Sequence, residues 1–336
     1  MGKNSNNFFS KDYQLKAHLQ RSVNSEKIQE IVLKIKRWTL DKAAPIKILD
    51  LCCGSGESTY ELLNVCTKAN IKVELIDGYD ISEEQIQVAQ GFAKLNAKLH
   101  FYVQDVESMQ IDSRYDLIIS FFGFHWITNL ENLATSIKRA LKPNGHLFFL
   151  VPLEKIELFN LREKLINSKQ WCACFKKFSI QALRYNTDEY MHSFARSLSL
   201  DSQKHPREHK YFQYTPEAFK TFLESWMPEV QYLKQIDKSK VDKYLHDLIT
   251  QISCSPYSFS SLSREQDPIT GNTYIKFVEQ LCWCSATNLK SKELNSTDQF
   301  VMPDLTPLQL SLNGFFNSIK LTHENNIEES CMALTR

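Results

Sequence analysis

The 336-residue chain lacks long apolar runs, and none reaches the roughly 18 residues that a membrane-spanning helix needs. It also lacks an excess of charge: a formal net charge of +1 gives no bulk electrostatic case for binding nucleic acid or an anionic membrane surface. The first residues contain no apolar signal-peptide core, and Asn6 stands where a myristoylation motif needs Ser or Thr. We therefore expect a cytoplasmic protein that binds neither nucleic acid nor a membrane.

The nine cysteines lack the spacing of a metal site or a disulfide framework. Their close pairs are Cys52–Cys53, Cys172–Cys174 and Cys282–Cys284, and none has the two-residue gap typical of zinc or redox sites. We expect reduced thiols, mostly buried as small apolar residues, and no bound metal.

Short β-rich runs alternate with helical patterns over residues 46–152. The five predicted strands are IKILDLC, IKVELIDGYD, KLHFYVQD, YDLIISFF and HLFFLVP. Strands that alternate with helices predict a doubly wound parallel α/β sheet. Beyond residue 152, EVQYLKQI and NTYIKFVEQLCWCSA are predicted as a sixth and a seventh strand, whereas residues 155–210 are predicted to be mostly helical.

The stretch LDLCCGSGEST joins the first predicted strand to a helix that starts near Glu57. Gly54 and Gly56 allow the backbone to pass close to a ligand, and the helix start directs free N–H groups into the same space. A dinucleotide-binding loop would have a third glycine where Thr59 stands, and a P-loop would end in Gly-Lys-Ser/Thr. The turn therefore disfavours a pyrophosphate clamp and excludes a P-loop.

Acidic residues end three successive strands: Asp50, Asp80 and Asp105. The carboxyl ends of parallel strands share one edge of the sheet, where such folds bind their ligands. An acid at the end of the second strand accepts hydrogen bonds from ribose hydroxyls, and Asp105 could meet an adenine amino group. The set predicts an adenosyl ligand without phosphates; the alternative is that each acid only caps a turn.

Five stretches resemble, in order, the motifs of class I S-adenosylmethionine-dependent methyltransferases: ILDLCCGSG, DGYDISEEQIQVAQ, FYVQDVES, YDLIISFFGFHWITN and LKPNGHLFFLVP. Within that superfamily they are most similar to small-acid O-methyltransferases, such as those of juvenile hormone acid, trans-aconitate and malonyl-carrier protein. The resemblance covers residues 10–153 and, more loosely, 210–286. It implies S-adenosyl-L-methionine as cofactor and a Rossmann-like, seven-stranded, mostly parallel sheet whose last strand is antiparallel.

The resemblance also implies a domain plan. Residues 1–40 would form an N-terminal helical lid segment, and residues 41–287 the methyltransferase domain, with a helical insertion at about 155–210. Residues 288–336 match no motif and are predicted to form an irregular C-terminal tail.

Cofactor-binding roles follow from the resemblance for the glycine turn and the strand ends. The residues concerned are Asp50, Cys52, Gly54, Ser55, Gly56, Asp80, Ile81, Asp105, Val106, Ser120 and Phe121. Cys52 departs from the family pattern, which has glycine at this place. Cysteine is small enough for the site if its φ angle is negative, so we expect weaker or reshaped cofactor binding at worst.

Substrate-binding roles follow for Trp126 and Gln20, which would hold a carboxylate, for Tyr13, which could help to close the lid, and for His125. A carboxylate is already ionised at pH 7 and needs no general base. His125 could be a base or a hydrogen-bonding residue beside the site. We expect O-methylation of a carboxylate on a small molecule or acyl group; a carbon or nitrogen acceptor and a non-catalytic binding module remain alternatives.

Two other stretches have two interpretations each. WCACFKKF and the stripe Tyr244, Leu245 and Leu248 could line an acyl pocket or form ordinary core. The basic run Lys204–Lys210 predicts a solvated loop, with docking of an acidic carrier protein as the alternative.

Overall fold

A computed structural model of the chain describes residues 18–39, 44–127, 129–152, 156–178, 194, 198, 201–204, 208–254, 262–266 and 271–288. Tyr13 and residues 289–336 lie outside this part of the chain. None of the described helices is long and apolar enough to cross a membrane.

Five parallel strands form the centre of the sheet, in the spatial order β3-β2-β1-β4-β5. They are β1 (Ile46–Leu51), β2 (Val73–Asp80), β3 (Leu99–Val103), β4 (Tyr115–Phe121) and β5 (Leu141–Pro152). This confirms the doubly wound α/β prediction.

The remaining described strands extend this sheet in antiparallel fashion. A long strand pairs with β5, and three short strands pair with the long one. In chain order they are β6 (Asp201–Lys204), β7 (Glu208–Tyr214), β8 (Leu262–Gln266) and the long strand β9 (Thr273–Thr287). The antiparallel direction predicted for the last strand is confirmed.

The described α-helices are α1 (His18–Thr39), α2 (Glu57–Lys68), α3 (Glu83–Leu95), α4 (Leu130–Ala140), α5 (Ile156–Ile166), α6 (Pro216–Trp226), α7 (Pro228–Ile236) and α8 (Val241–Cys254). Helices α3 and α6 begin with a side-chain cap. The Ser82 hydroxyl accepts from the N–H of Gln85 at the start of α3, and the Thr215 hydroxyl accepts from the N–H of Ala218 at the start of α6.

Both faces of the sheet are covered, because successive strand residues point to opposite sides and both sets are apolar. On β5, Phe148 and Leu150 join the cluster that contains α1, α2 and α3. Phe149 and Val151 join the opposite cluster, which contains α4. This two-sided burial explains why the strands read as nearly continuous apolar runs.

The predicted sixth strand is wrong, because EVQYLKQI forms helix α7. Pro228 occupies the first turn of that helix, and Val230 and Leu233 are buried at a three-residue spacing. Six of the seven strands expected from the sequence are therefore present, the five parallel strands and β9, while β6, β7 and β8 were not expected and pair with β9.

The prediction of a mostly helical segment at 155–210 needs a correction at its end. Residues 201–204 and 208–214 form β6 and β7, which pair with β9. Lys204 and Lys210 are therefore strand residues and not members of one solvated loop. The Lys210 ammonium lies 2.6 Å from both carboxylate oxygens of Glu26 and so ties β7 to α1.

The aromatic residues proposed as an acyl pocket are core residues. Trp171, Phe175 and Tyr244 are buried, and their rings pack against one another. Leu245 and Leu248 are fully buried in the same cluster. The interpretation as ordinary core is the correct one.

Candidate active site

The order of the sheet reverses at β1, whose neighbours are β2 on one side and β4 on the other. Loops that follow two adjacent strands with helices on opposite faces diverge there and leave a crevice. The glycine turn after β1 and the Phe124–Trp126 segment after β4 flank this crevice. The topology thus brings together two of the stretches that the sequence singled out.

Backbone hydrogen bonds hold the glycine turn against the end of β2. The Gly54 N–H donates to Asp80 Oδ2 at 2.9 Å, and the Cys53 N–H donates to the Tyr79 carbonyl at 3.0 Å. Gly54 and Gly56 have φ angles of 55° and 78°, which favour glycine. A Cβ atom on Gly54 would meet nothing within 4 Å, so the turn borders open space that a ligand can fill.

Cys52 does not meet the condition under which cysteine fits this place, a negative φ, since its φ is 59°. For a residue with a Cβ atom this left-handed conformation costs about 1–2 kcal/mol. The next two residues, Cys53 and Gly54, are hydrogen-bonded to the end of β2 and so hold the turn from β1 into α2 in this conformation. Burial raises the pKa of the Cys52 thiol, and the carboxylates of Asp80, Asp50 and Asp105 raise it further, so the thiol stays protonated.

Asp50 is enclosed behind the turn, with 2% of its surface exposed. Its Oδ2 accepts a hydrogen bond of 2.6 Å from the hydroxyl of Thr59, which is fully buried. Burial raises the pKa of Asp50 to about 7; the Thr59 hydrogen bond opposes this shift and the Asp80 charge adds to it. Sequence reasoning treated Thr59 only as a missing glycine and did not identify it as the partner of Asp50.

Asp80 ends β2 with both carboxylate oxygens engaged by backbone N–H groups. Oδ2 accepts from Gly54, and Oδ1 accepts from Ser82 at 2.9 Å. The pKa of Asp80 is raised, because the effect of burial exceeds the opposite effect of the backbone hydrogen bonds. The neighbouring Ile81 is 64% exposed, which is unusual for isoleucine and leaves an apolar surface beside the acid.

Asp105 follows β3 and turns the chain locally, since its Oδ1 accepts from the Glu107 N–H at 3.0 Å. Val106 is buried against the α4 side of the sheet. The Gln104 N–H donates to the Asp80 carbonyl, so the residues before Asp105 lie beside the end of β2. The three acids thus gather at one edge, as their strand positions predict.

The end of β4 supplies a second wall. Ser120 is fully buried and Phe121 is nearly so. After Phe122 and Gly123 the chain makes one turn of 3-10 helix, Phe124–Trp126, in which the rings of His125 and Trp126 lie 4.8 Å apart. Burial lowers the pKa of His125 to about 3, so its imidazole is neutral at physiological pH.

Helix α1 runs beside α2 in the same direction. Arg21 lies 3.8 Å from Glu57, and Asn24 Nδ2 donates to Ser58 Oγ at 2.9 Å. Gln20 precedes these residues and therefore lies toward the glycine-turn end of α2. Asn24, which sequence reasoning missed, shares the Gln20 face of the helix at a four-residue spacing.

Buried polar atoms without a hydrogen-bond partner concentrate here. Within the described residues they include Gln20 Oε1, Asn24 Oδ1, Ser120 Oγ and His125 Nδ1. Each such atom costs about 1–3 kcal/mol if nothing pairs with it. Together with the open space at Gly54, they fit a polar ligand at this edge of the sheet.

A family model described as a methyltransferase domain matches residues 42–211, which is half of the chain. Over 125 residues the chain is 34% identical to malonyl-[acyl-carrier protein] O-methyltransferase 2 of Ilyobacter polytropus, covering 37% of this chain and 46% of that protein. The Bacillus cereus malonyl-[acyl-carrier protein] O-methyltransferase is 30% identical over 125 residues, covering 37% and 44%. The chain thus spans less than half the length of these relatives.

Among solved structures, the YcgJ protein from Bacillus subtilis superposes with a TM-score of 0.52 at 16% identity. The superposition covers 77% of this chain and 97% of that one. The likeness shows a shared fold.

Proposed function

The chain belongs to the methyltransferase domain family, and we propose that it transfers a methyl group from S-adenosyl-L-methionine to the carboxylate of a small molecule or acyl group. When bound, the cofactor supplies a methyl group on a sulfonium sulfur that a nucleophile displaces in line. The protein contributes binding, alignment and exclusion of water.

The cofactor would occupy the crevice beside β1. Asp80 would hold the ribose hydroxyls, because each carboxylate oxygen that accepts one backbone N–H keeps a lone pair for another donor. The exposed Ile81 side chain would pack against the adenine, which Asp105 and Val106 would bound on the other side. The open backbone at Gly54, with Ser55 and Gly56, would lie against the methionine part.

The choice of acceptor rests on the groups that the described site offers, among them the His125 imidazole, which burial keeps neutral and whose Nδ1 has no partner there. A base whose pKa is about 3 is too weak to remove a proton from an alcohol, an ammonium group or a carbon acid at pH 7. An acceptor that arrives already ionised, such as a carboxylate, needs no proton removal. The described site therefore suits acid methylation better than a carbon or nitrogen acceptor.

Neutral hydrogen-bond donors would hold that carboxylate. The Gln20 amide, the Trp126 indole N–H and the one N–H of the neutral His125 ring are proposed for this role, with Tyr13 closing the lid. His125 Nδ1 is buried and has no partner among the described residues, so it is available to a ligand. Neutral donors orient the acceptor without stabilising its charge so strongly that it loses nucleophilicity.

Malonyl-[acyl-carrier protein] is the first acceptor to test, because the relatives named above carry it in their names. The experiment incubates the protein and methyl-labelled S-adenosylmethionine with malonyl-acyl carrier protein and with a panel of small carboxylic acids. A methyl ester releases its label as volatile methanol in alkali. Base-labile label is expected; base-stable label would indicate a carbon or nitrogen acceptor, and no label on any acid would contradict the proposal.

Variants of the proposed carboxylate grip provide a separate prediction. Gln20→Ala and Trp126→Phe each remove one hydrogen bond to a charged group, worth about 1.5–3 kcal/mol, so turnover should fall roughly 10- to 100-fold. Cofactor affinity, measured by calorimetry, should change less than about threefold. Equal loss of cofactor binding in both variants would place these residues in the cofactor site instead.

A further inference from the structure

At two positions of the site the residue type does not match the backbone conformation: a cysteine has a conformation that favours glycine, and a glycine has one that suits any residue. Cys52 has a Cβ atom although its φ is 59°, a conformation that favours glycine. Gly123 has no Cβ atom although its φ of −102° and ψ of −50° suit any residue. Backbone geometry therefore does not explain the glycine at position 123.

Packing explains it. A Cβ atom on Gly123 would lie 2.5 Å from Cys52 Cβ, 3.1 Å from Cys52 Sγ and 2.6 Å from Ser120 Oγ. The Ser120 hydroxyl can rotate away, whereas the Cys52 Cβ atom moves only with the backbone of the turn. The side chain of Cys52 thus fills the space that a side chain at position 123 would need.

This contact joins the two loops that flank the crevice. Cys52 belongs to the glycine turn, on the proposed cofactor side. Gly123 begins the turn that carries the proposed acceptor-binding residues, and its carbonyl accepts the N–H of Trp126 at 3.0 Å. The separation of Cys52 from Gly123 therefore sets the separation of the cofactor turn from His125 and Trp126.

We propose that Cys52 is a positioning residue: its side chain, packed against the bare backbone of Gly123, fixes the distance between the methyl donor and the acceptor-binding turn. In-line methyl transfer depends steeply on this distance, since a misplacement of about 1 Å can cost roughly 100-fold in rate. The proposal rests on the proposed function, because it assigns the two loops to donor and acceptor. It explains why a cysteine stands where the family pattern has glycine, although its φ of 59° is unfavourable for a residue with a Cβ atom.

The test is a double-variant cycle with Cys52→Gly, Gly123→Ala and the two together. Gly123→Ala should lower the Tm by roughly 5 °C, because its Cβ atom overlaps Cys52. The double variant should recover at least half of that loss, since the new methyl group at position 123 then fills the space that the Cys52 side chain left. Gly91→Ala is the matched control: its added Cβ meets nothing within 4 Å on helix α3, so the Tm should not fall.

The readout of position is the carbon-13 signal of methyl-labelled S-adenosylmethionine bound to each variant. The rings of His125 and Trp126 shift this signal according to their distance from the methyl group. Both single variants should move the bound signal, and the double variant should return it toward the wild-type position.

Two results would overturn the proposal, and a third would refute the proposed function as well. A double variant no more stable than Gly123→Ala would disprove the contact. A Cys52→Gly signal that coincides with wild type would disprove the positioning role alone. Absence of any bound signal in the wild type would refute the proposed function together with the positioning role.

Discussion

At the residue scale, the site contains buried polar and ionisable side chains that have few hydrogen-bond partners among the described residues. Asp50 accepts a hydrogen bond from Thr59 and lies near a second carboxylate, Asp80. Ser120 Oγ and His125 Nδ1 have no partner among the described residues. Such groups persist at sites where ligand binding repays their cost.

The pKa of Asp50 gives a prediction about stability. Burial raises it from 3.8 to about 7, so the folded state binds a proton more tightly than the unfolded state does. The resulting stabilisation is complete below about pH 4 and is lost as the pH rises through about 7. Between pH 5 and pH 8, the cofactor-free wild type should lose up to about 2.5 kcal/mol of unfolding free energy relative to Asp50→Asn.

Urea unfolding of both proteins at pH 5, 6.5 and 8 measures this difference. The comparison with Asp50→Asn removes the contributions of all other titrating groups. A difference that stays constant across these three pH values would show that Asp50 is ionised throughout.

The residue-level predictions were correct where the position of a residue along its strand determines its place in the fold. The three acids come together because parallel strands end at one edge, and this requires only the strand assignments. The φ of Cys52 could not be predicted in the same way. A tight turn constrains its backbone through the hydrogen bonds of Cys53 and Gly54 to β2, which are tertiary contacts.

At the element scale, helices α5, α7 and α8 are joined by a buried charged pair. Arg162 donates to both carboxylate oxygens of Glu229 at 2.6 Å, and the Tyr244 hydroxyl lies 3.4 Å from the same carboxylate. Arg162 and Glu229 are 6% and 0% exposed. Breaking such a pair leaves an uncompensated charge, whereas replacing both partners does not.

Arg162→Met should therefore destabilise the protein by about 3–5 kcal/mol, while Arg162→Met combined with Glu229→Leu should recover most of that loss. Chemical denaturation of the wild type and the two variants measures the free energies. As a control for losing an exposed pair, Lys220→Met breaks the Lys220–Asp242 pair and should leave the stability nearly unchanged. A double variant as unstable as Arg162→Met would show that the pair provides more than charge compensation.

The same region explains the error in the sequence-based assignment of elements. EVQYLKQI has β-branched and aromatic residues, but its length of eight residues suits a strand or two turns of helix equally well. The Glu229 partner, Arg162, lies on a different helix, so the helical register depends on a contact 67 residues away in sequence. By contrast, β1 to β5 were predictable because turn residues bound each buried apolar run.

At the scale of the whole molecule, the described chain is a methyltransferase fold in which α1 lies over the glycine-turn end of α2. Arg21–Glu57 and Asn24–Ser58 pair α1 with α2, and Glu26–Lys210 pairs α1 with β7. The sequence predicted a helix at this place, but the helical pattern alone did not reveal Asn24, since its partner is known only from the fold. The proposed substrate site adjoins the glycine turn and the β4 turn, which lie against each other at Cys52 and Gly123.

The most direct test of this account is a calorimetric titration of the purified chain with S-adenosyl-L-methionine, made in parallel on Asp80→Asn and Asp116→Asn. Asp116 lies at the opposite end of the sheet, where it accepts from the Lys47 N–H and Lys142, and so serves as the control. We predict one binding site per chain, affinity reduced roughly 10- to 100-fold in Asp80→Asn, and unchanged affinity in Asp116→Asn. A wild type that shows no heat of binding up to about millimolar cofactor would contradict the account, because any affinity would then be too weak for a cofactor.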